Sequence, residues 1–527
     1  MKEKIKSCIQ DPHFLFLIIV IGVGSFVRLA ALNRWPMGLH QDEAYSAYNA
    51  WSVMHYGIDS EGYTRPVYYT VWGSGMSVLY SYLEMPFLAI LGTTVWAIRL
   101  PQALLGSLCI PAAYFLGKEL FDKRMGLVFA AMLAINPWHI LQSRFGLDAN
   151  LAVPMLLFAI VFLCRYLNGK PKSLFPATVF FGLTLYCYAI TWPLIPLILV
   201  LTFIFFHKRI RFNKELALCI ALLFLMALPL LLFMAVNYGW IPEIRTPFFS
   251  IPKLAQMRTD EFGFRKLYAH FKWMIAMLWA QHDDIWWITN SKTGAYYYIS
   301  TPFILFGILC HIKILWQSFR KKRELPLHFI LAIWFGAMFA VSLGIDTAKY
   351  YKVNCLHIPI VFYGAYGLVT LIDYLKRIKW LPKVCIGIYL ACFAFFLYTE
   401  ISYPVIYENY GYAPVSHMHW YKYEDALEYA QQLTDNEISF ISLNFANVLL
   451  YLHMPPEEFM KTAVYESDDL AFRNLLSFGR FHVSVLPSEE TKDWVYVFPY
   501  SAEEAFLNAG YTVEKVTECY GVAYMPE

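Results

Sequence analysis

The sequence predicts a polytopic α-helical membrane protein with about eleven transmembrane helices and a small extracytoplasmic α/β domain at the C-terminus. Three observations carry the helical membrane module and the appended domain. Of 527 residues, 58% are apolar and only 15% charged, against about 25% charged in ordinary soluble chains. Apolar runs of membrane-spanning length recur from residue 14 to residue 400. After Tyr398 the pattern changes to charged amphipathic segments that alternate with short β-branched and aromatic runs.

Composition narrows the class further. The net charge of +3 is small and gives no sign of a nucleic-acid partner, the basic residues being gathered in short loops. Seven of the ten cysteines lie inside apolar runs (Cys109, Cys164, Cys187, Cys219, Cys310, Cys385, Cys392) and no CxxC occurs, so neither a zinc site nor a disulfide framework is expected. Phe14 to Leu32 is too long for a signal-peptide core and lacks a small-residue cleavage site, so it is expected to stay as the first span. The long loops contain no Asn-x-Ser/Thr acceptor, which points to a bacterial cytoplasmic membrane.

Taken in order, Lys2, Lys4 and Lys6 precede the first span and place the N-terminus in the cytoplasm. Spans are expected at 14–32, 96–117, 125–141, 150–167, 174–190, 193–206, 215–236, 299–317, 326–344, 355–374 and 383–400. Met76 to Gly92 is apolar but short, and Glu84 and Pro86 interrupt it. Read as a helix at the outer interface, it puts 20 basic residues on the cytoplasmic side: the three N-terminal lysines, Lys118/Lys123/Arg124, Lys170/Lys172, Lys208/Arg209/Arg211/Lys214, Arg320/Lys321/Lys322/Arg323 and Lys376/Arg377/Lys379/Lys383. Read as a span, it would move every basic loop after the N-terminus outside, against the positive-inside tendency. The outer face then holds a first loop (33–95), a short loop around Ser143 to Asn150, a long loop (237–298), the segment Ile345 to Asn354 and the tail. Residues 1–400 form the membrane module and 401–527 the outer domain, with a helix over Tyr423 to Gln432 and strands near 438–443 and 494–498. The tail shows no phosphate-binding glycine pattern and no nucleophile elbow, which leaves it partner contact, a lid or stability.

Chemistry concentrates on the outer side. Gly38-Leu39-His40-Gln41-Asp42-Glu43-Ala44-Tyr45 brings two adjacent carboxylates just past the first span, in a loop rich in aromatics (Trp35, Trp51, Tyr56, Tyr63, Tyr68, Tyr69, Trp72). Asp42 and Glu43 suit general-base work and equally suit the N-terminus of a helix over Glu43 to Met54. Asp148, in Ser143-Arg144-Phe145-Gly146-Leu147-Asp148-Ala149-Asn150, is a third carboxylate on that side. It also reads as a helix cap, with Arg144 reaching the lipid headgroups. Arg99 begins the second span and needs an anion, for which a lipid phosphate or Glu84 would serve. Lys349 and Lys352 suit a phosphate or ordinary headgroups. His282-Asp283-Asp284 has metal-like residue types without ligand spacing and is read as a solvated turn.

Asp42-Glu43, Arg65-Pro66, Ile98-Arg99-Leu100-Pro101, Lys118 to Arg124 and Ser143 to Asn150, in this order, resemble the GT-C membrane glycosyltransferases, family 39 above all. That family includes the protein O-mannosyltransferases and the aminoarabinose transferases of lipid A. The resemblance covers about residues 10–240. It implies transfer of a hexosyl or pentosyl group from a polyprenyl-phosphate sugar to a cell-envelope glycan, lipid or protein at the outer face, with inversion. The first-loop Asp42 would be the base, with Glu43 and Asp148 beside it. Arg99, Arg144, Lys349 and Lys352 would hold the donor phosphate, and Arg65, Glu84 and His139 would position substrate. No cofactor is certain, and a divalent cation is compatible with the carboxylates. The chain departs from the pattern at Asn354-Cys355, where many relatives carry Asn-Arg, and in a tail unlike the sugar-binding repeats of the eukaryotic mannosyltransferases. A transporter or lipid flippase with outer-face carboxylates is the competing expectation, and a non-catalytic scaffold the third. Acids are scarce in the middle of the spans, which disfavours an ion relay.

Overall fold

An apolar segment in lipid can satisfy its backbone N–H and C=O groups only within itself, so the long apolar runs must be helices. The computed structural model describes residues 11–257, 267–283, 285, 288–321, 323–345, 349–401, 420–467, 469 and 473–526. Among these, eight helices are long and apolar enough to cross a membrane: Pro12–Leu29, Val95–Leu120, Asp148–Leu167, Thr191–Arg209, Lys214–Asn237, Tyr298–Arg320, Asn354–Tyr374 and Leu381–Glu400. The protein is an integral membrane protein. Lys2, Lys4, Lys6 and Lys322, used above in the charge argument, lie outside the described residues.

Three expected spans are shorter than drawn from the sequence. The stretch 125–141 is two helices, Lys123–Ala134 and Pro137–Gln142. Pro137 has no N–H to continue the first helix, and the Asn136 side chain caps the second by accepting the His139 N–H at 2.9 Å. The stretch 174–190 is helical over Leu174–Thr184, and 326–344 over Phe329–Ser342. At 1.5 Å per residue such helices extend only about 16 to 21 Å, less than the roughly 30 Å hydrocarbon core. Eight of the eleven expected spans are thus long helices, and the other three stretches hold four shorter ones. Leu79–Leu91 is a further short apolar helix.

The chain divides into two compact units. One comprises Met1–Ala30, Leu100–Leu228 and Thr259–Thr399. It contains most of the long helices, and glycine lets two of them touch. A Cβ on Gly367 would sit 1.9 Å from the Phe303 carbonyl oxygen, and one on Gly307 would sit 2.2 Å from that of Tyr363. The helices Thr301–Arg320 and His357–Tyr374 therefore meet backbone to backbone, the small-residue packing typical of membrane bundles.

The other unit comprises Ala31–Arg99, Pro229–Arg258 and Glu400–Glu527. This unit joins the tail, from Glu400, with the first loop and part of the long loop. Its elements include the helices Gln41–Tyr56 and Leu79–Leu91 and a two-stranded hairpin of β1 (Ile244–Arg245) and β2 (Ser250–Ile251). The tail contributes β3 (Ile438–Phe440), β4 (Val464–Tyr465), β5 (Leu475–Phe478), β6 (Phe481–Val483), β7 (Val495–Pro499), β8 (Thr512–Lys515) and β9 (Tyr520–Tyr524). They form one sheet in the order β4-β5-β6-β3-β7-β9-β8. β3 runs parallel to β6 and β7, and the other pairs are antiparallel. Ile441, Tyr496, Phe498, Phe506, Tyr511 and Ala523 close the core over one part of this sheet. The expected tail helix and both expected strands are present, as Tyr423–Leu433, β3 and β7. A further tail helix, Phe445–Leu452, packs on Gln41–Tyr56: Tyr45 meets Phe445 edge-on at 6.1 Å, and the Tyr48 hydroxyl donates to the Met454 carbonyl at 2.8 Å.

Candidate active site

The turn before the Gln41–Tyr56 helix separates the two adjacent carboxylates into different roles. His40 is the N-cap: its Nδ1 accepts the Asp42 N–H at 3.1 Å, while the Glu43 carboxylate accepts the His40 N–H at 3.0 Å. This is a capping box with histidine in place of the usual hydroxyl. Glu43 therefore has the capping role that the sequence offered to both acids. The Asp42 side chain is 39% exposed, and its nearer oxygen lies 3.7 Å from His40 Nδ1, beyond hydrogen-bond length. With its Nδ1 lone pair directed at a backbone N–H, a neutral His40 carries its proton on Nε2.

Glu43 and Arg99 form a buried bidentate pair, both side chains 0% exposed. Arg99 Nε donates to Glu43 Oε1 at 2.9 Å and Nη2 to Oε2 at 2.8 Å. Nη1 donates to the carbonyls of Leu32 (3.0 Å) and Pro36 (2.7 Å), and Nη2 also to that of Gly38 (2.7 Å). All five guanidinium N–H groups thus have acceptors within the unit. Arg99 has no donor left for a phosphate, and its anion is Glu43 rather than Glu84 or a lipid. Geometrically, Arg99 anchors the chain from 32 to 43.

Glu84 is also fully buried, on the Leu79–Leu91 helix. It accepts the Ser46 hydroxyl at 2.7 Å, Ser46 in turn meets the Ser81 hydroxyl at 2.8 Å, and Oε2 has no partner. Burial, reinforced by nearby Glu43, holds its carboxyl well above the ordinary carboxylate range. Arg65, by contrast, is exposed, with a positive φ of 37°. Sequence reasoning passed over Asp59 in this loop. Its Oδ1 accepts the backbone N–H groups of Glu61 (3.0 Å) and Tyr63 (2.8 Å), Oδ2 is unpartnered, and burial pushes it up to about 7.

The remaining expected residues belong to the other unit. Arg144 is fully buried, not extended to the headgroups; it donates to the carbonyls of Val27 (2.7 Å), Arg28 (3.1 Å) and Ala30 (2.8 Å). It thereby closes the C-terminal end of the first helix, whose last carbonyls have no intrahelical partner. Arg28, which the sequence analysis missed, does the same for Lys123–Ala134 through Leu133 (2.9 Å) and Ala134 (2.8 Å). A charge inside an apolar span was the available signal. His139 Nδ1 accepts from Arg28 Nη2 at 2.7 Å, and its buried Nε2 is unpartnered. Asp148 is half-buried in the first turn of Asp148–Leu167, where its Oδ1 accepts the Ala149 N–H at 2.6 Å. Asn354 accepts the Trp138 indole N–H at 3.1 Å and donates to the Asn150 side chain at 2.8 Å, tying the Ser143 to Asn150 segment to that departure position. Lys349 and Lys352 are half-buried. Asp283 is a structural joint rather than a solvated turn: it accepts from the backbone N–H groups of Ile285 and Tyr350 and from the Thr289 hydroxyl. Asp284 lies outside the described residues. Among the described residues, no three His, Cys, Asp or Glu side chains cluster as a cation cage.

The whole chain overlays on solved membrane proteins. ArnT from Cupriavidus metallidurans bound to undecaprenyl phosphate matches with a TM-score of 0.58 and 14% identity, over 96% of this chain and 97% of that one. Its apo form matches with a TM-score of 0.54 and 14% identity, over 97% of both. The Archaeoglobus fulgidus oligosaccharyltransferase in complex with Zn and sulfate matches with 0.51 and 14% identity, over 97% of this chain and 74% of that one. The fold is GT-C. Residues 76–233 also match the family described as dolichyl-phosphate-mannose-protein mannosyltransferase. No curated protein matches the chain by sequence. The GT-C resemblance read from the motifs is thus upheld at the level of the fold.

Proposed function

We propose that this protein is a membrane glycosyltransferase that moves a sugar from a polyprenyl-phosphate donor to an acceptor at the outer face, with Asp42 as general base. The single observation that carries the role of Asp42 is the division within the acidic pair: Glu43 is locked to Arg99, while Asp42 is exposed on a turn held by hydrogen bonds on both sides. The reaction class rests on the GT-C fold, and the donor class on lipid phosphates named for its relatives, undecaprenyl phosphate for ArnT and dolichol-phosphate for the archaeal oligosaccharyltransferase.

In this scheme the Asp42 carboxylate takes the proton of the acceptor hydroxyl as its oxygen attacks the anomeric carbon. The bond from that carbon to the phosphate oxygen breaks, the electron pair leaves with the polyprenyl phosphate, and the configuration inverts. Arg65 replaces Arg99 as the first-loop cation for an anionic substrate, being exposed where Arg99 is saturated. Asp148, Lys349 and Lys352 are assigned substrate contact, to be tested by substitution. Arg144 and Glu84 leave the scheme, because their buried partners explain them. No divalent cation is assigned to residues of this chain; transfer measured with EDTA and after re-addition of Mn²⁺ decides whether one is needed. The N-terminus is placed in the cytoplasm of a bacterial cell and the tail outside.

The test is single-turnover transfer by purified protein from undecaprenyl-phosphate-linked mannose, glucose and aminoarabinose to envelope lipid. General-base catalysis contributes about 10²–10⁴-fold, so Asp42→Asn should lower turnover by that much while its melting temperature holds. Near wild-type transfer by Asp42→Asn removes Asp42 from the role. A wild-type protein that consumes no donor in the panel, yet moves one across vesicles, is a flippase.

A further inference from the structure

The tail domain meets the first loop at the turn that carries Asp42. Asn447 Nδ2 donates to the Leu39 carbonyl at 2.9 Å, and Asn444 Nδ2 donates to Gln41 Oε1 at 2.9 Å. The orientation of the Asn447 amide is chemically forced, since a carbonyl can only accept. Asn447 is 0% exposed, its backbone carbonyl accepts the Tyr423 hydroxyl at 2.6 Å, and its side-chain Oδ1 is buried without a partner among the described residues. Asn444 caps the Phe445–Leu452 helix through its Oδ1, which accepts the Ala446 N–H at 2.9 Å. Both asparagines therefore stand at the start of the same capped helix.

The chain from 36 to 42 is consequently held from two sides. Arg99 takes the carbonyls of Pro36 and Gly38, Glu43 takes the His40 N–H, and His40 takes the Asp42 N–H. Among the described residues, the Leu39 carbonyl and the Gln41 side chain are held by side chains of the tail. We infer that Asn447 and Asn444 are positioning residues for Asp42, so that the tail domain completes the catalytic turn rather than serving only as a partner platform. The inference rests on the proposed role of Asp42. A base must stay within hydrogen-bond reach of the proton it takes, and a displacement of about 1 Å can cost about 10²-fold in rate. A turn left unheld at 39 and 41 would let Asp42 swing by that order.

The experiment compares four full-length variants. Asn447→Leu keeps the size and removes the donor to Leu39. Asn444→Ser keeps a helix cap and loses the reach to Gln41. Tyr48→Phe removes another buried hydrogen bond between the first-loop helix and the tail, to the Met454 carbonyl and away from the turn, and Asp42→Asn removes the base. Hydrogen exchange of the peptide covering 38–43 needs no substrate. It should speed up in Asn447→Leu and Asn444→Ser, and should match wild type in Tyr48→Phe at equal melting temperature. With whichever donor of the panel wild type consumes, Asn447→Leu should lower kcat by about 10- to 10²-fold with little change in donor KM, and Tyr48→Phe should not. Unchanged exchange at 38–43 in Asn447→Leu overturns the inference, and so does a kcat equal to that of Tyr48→Phe. If Asp42→Asn transfers normally, the role of Asp42 fails instead, and the exchange data still show whether the tail clamps the turn.

Discussion

Breaking the Glu43–Arg99 pair should cost the protein its stability before it costs chemistry. Both side chains are fully buried and joined by two hydrogen bonds of 2.8 and 2.9 Å. In Glu43→Gln the guanidinium keeps its charge and loses its counter-ion, and an uncompensated buried charge of this kind costs about 3–5 kcal/mol. In Arg99→Lys the charge remains, but an ammonium has three N–H donors where the guanidinium has five. At least two of the five acceptors on Leu32, Pro36, Gly38 and Glu43 are then left unpaired, at about 1–3 kcal/mol each. At roughly 2–4 °C per kcal/mol for a folded unit of 150–250 residues, either substitution should lower the melting temperature by about 10 °C. The assay is intrinsic fluorescence unfolding in detergent, run beside single-turnover transfer at a temperature where each variant is still folded. The expected result is a large loss of thermal stability with measurable residual transfer. A Glu43→Gln protein that melts with wild type and transfers nothing would refute this reasoning and make Glu43 the base.

Three further outcomes follow from other parts of the structure. Asp59 has a folded-state value of about 7 against an ordinary 3.8, because burial disfavours its charge. Between those values the folded protein keeps a proton that the unfolded chain releases, so stability falls as pH rises through the window, by about 4 kcal/mol in all. Asp59→Asn keeps the Oδ1 acceptor and removes the titration; its melting temperature should gain on wild type from pH 5 to pH 8, and a constant difference would exclude the effect. Gly367→Ala should cost about 1–3 kcal/mol or more by overpacking, read as lost folded yield, since its Cβ would lie 1.9 Å from the Phe303 carbonyl oxygen. Gly22→Ala, with nothing within 4 Å, should be near neutral. For topology, an introduced cysteine at Lys118 should resist a membrane-impermeant label applied from outside, and one at Leu91, which is 44% exposed, should react; labelling at 118 would invert the charge argument.

The sequence by itself determined what depends on local chemistry. Apolar runs of 18 or more residues dictate helices in a bilayer because no other arrangement satisfies their backbone, and eight of the expected spans are long helices at the positions read from hydropathy. The tail strands were legible for a similar reason, since β3 and β7 are short β-branched and aromatic runs bounded by polar residues. The motif order around Asp42, Arg99 and Asp148 was enough to suggest the GT-C fold. Tertiary structure alone decided which of the charged residues are braces. Arg99 and Arg144 read from sequence as cations waiting for a phosphate, and Glu84 as an anion for one of them. In the folded chain Arg99 pairs with Glu43, Arg144 closes the end of the first helix, and Glu84 is a buried group that accepts from Ser46. A guanidinium satisfied by three carbonyls and a carboxylate has the same local sequence as one facing lipid, because its acceptors lie more than fifty residues away along the chain. The same distance hid Asn444 and Asn447, some four hundred residues beyond the turn they hold. Hydrogen-bond saturation is a property of three-dimensional neighbours, and only the folded chain brings those neighbours together.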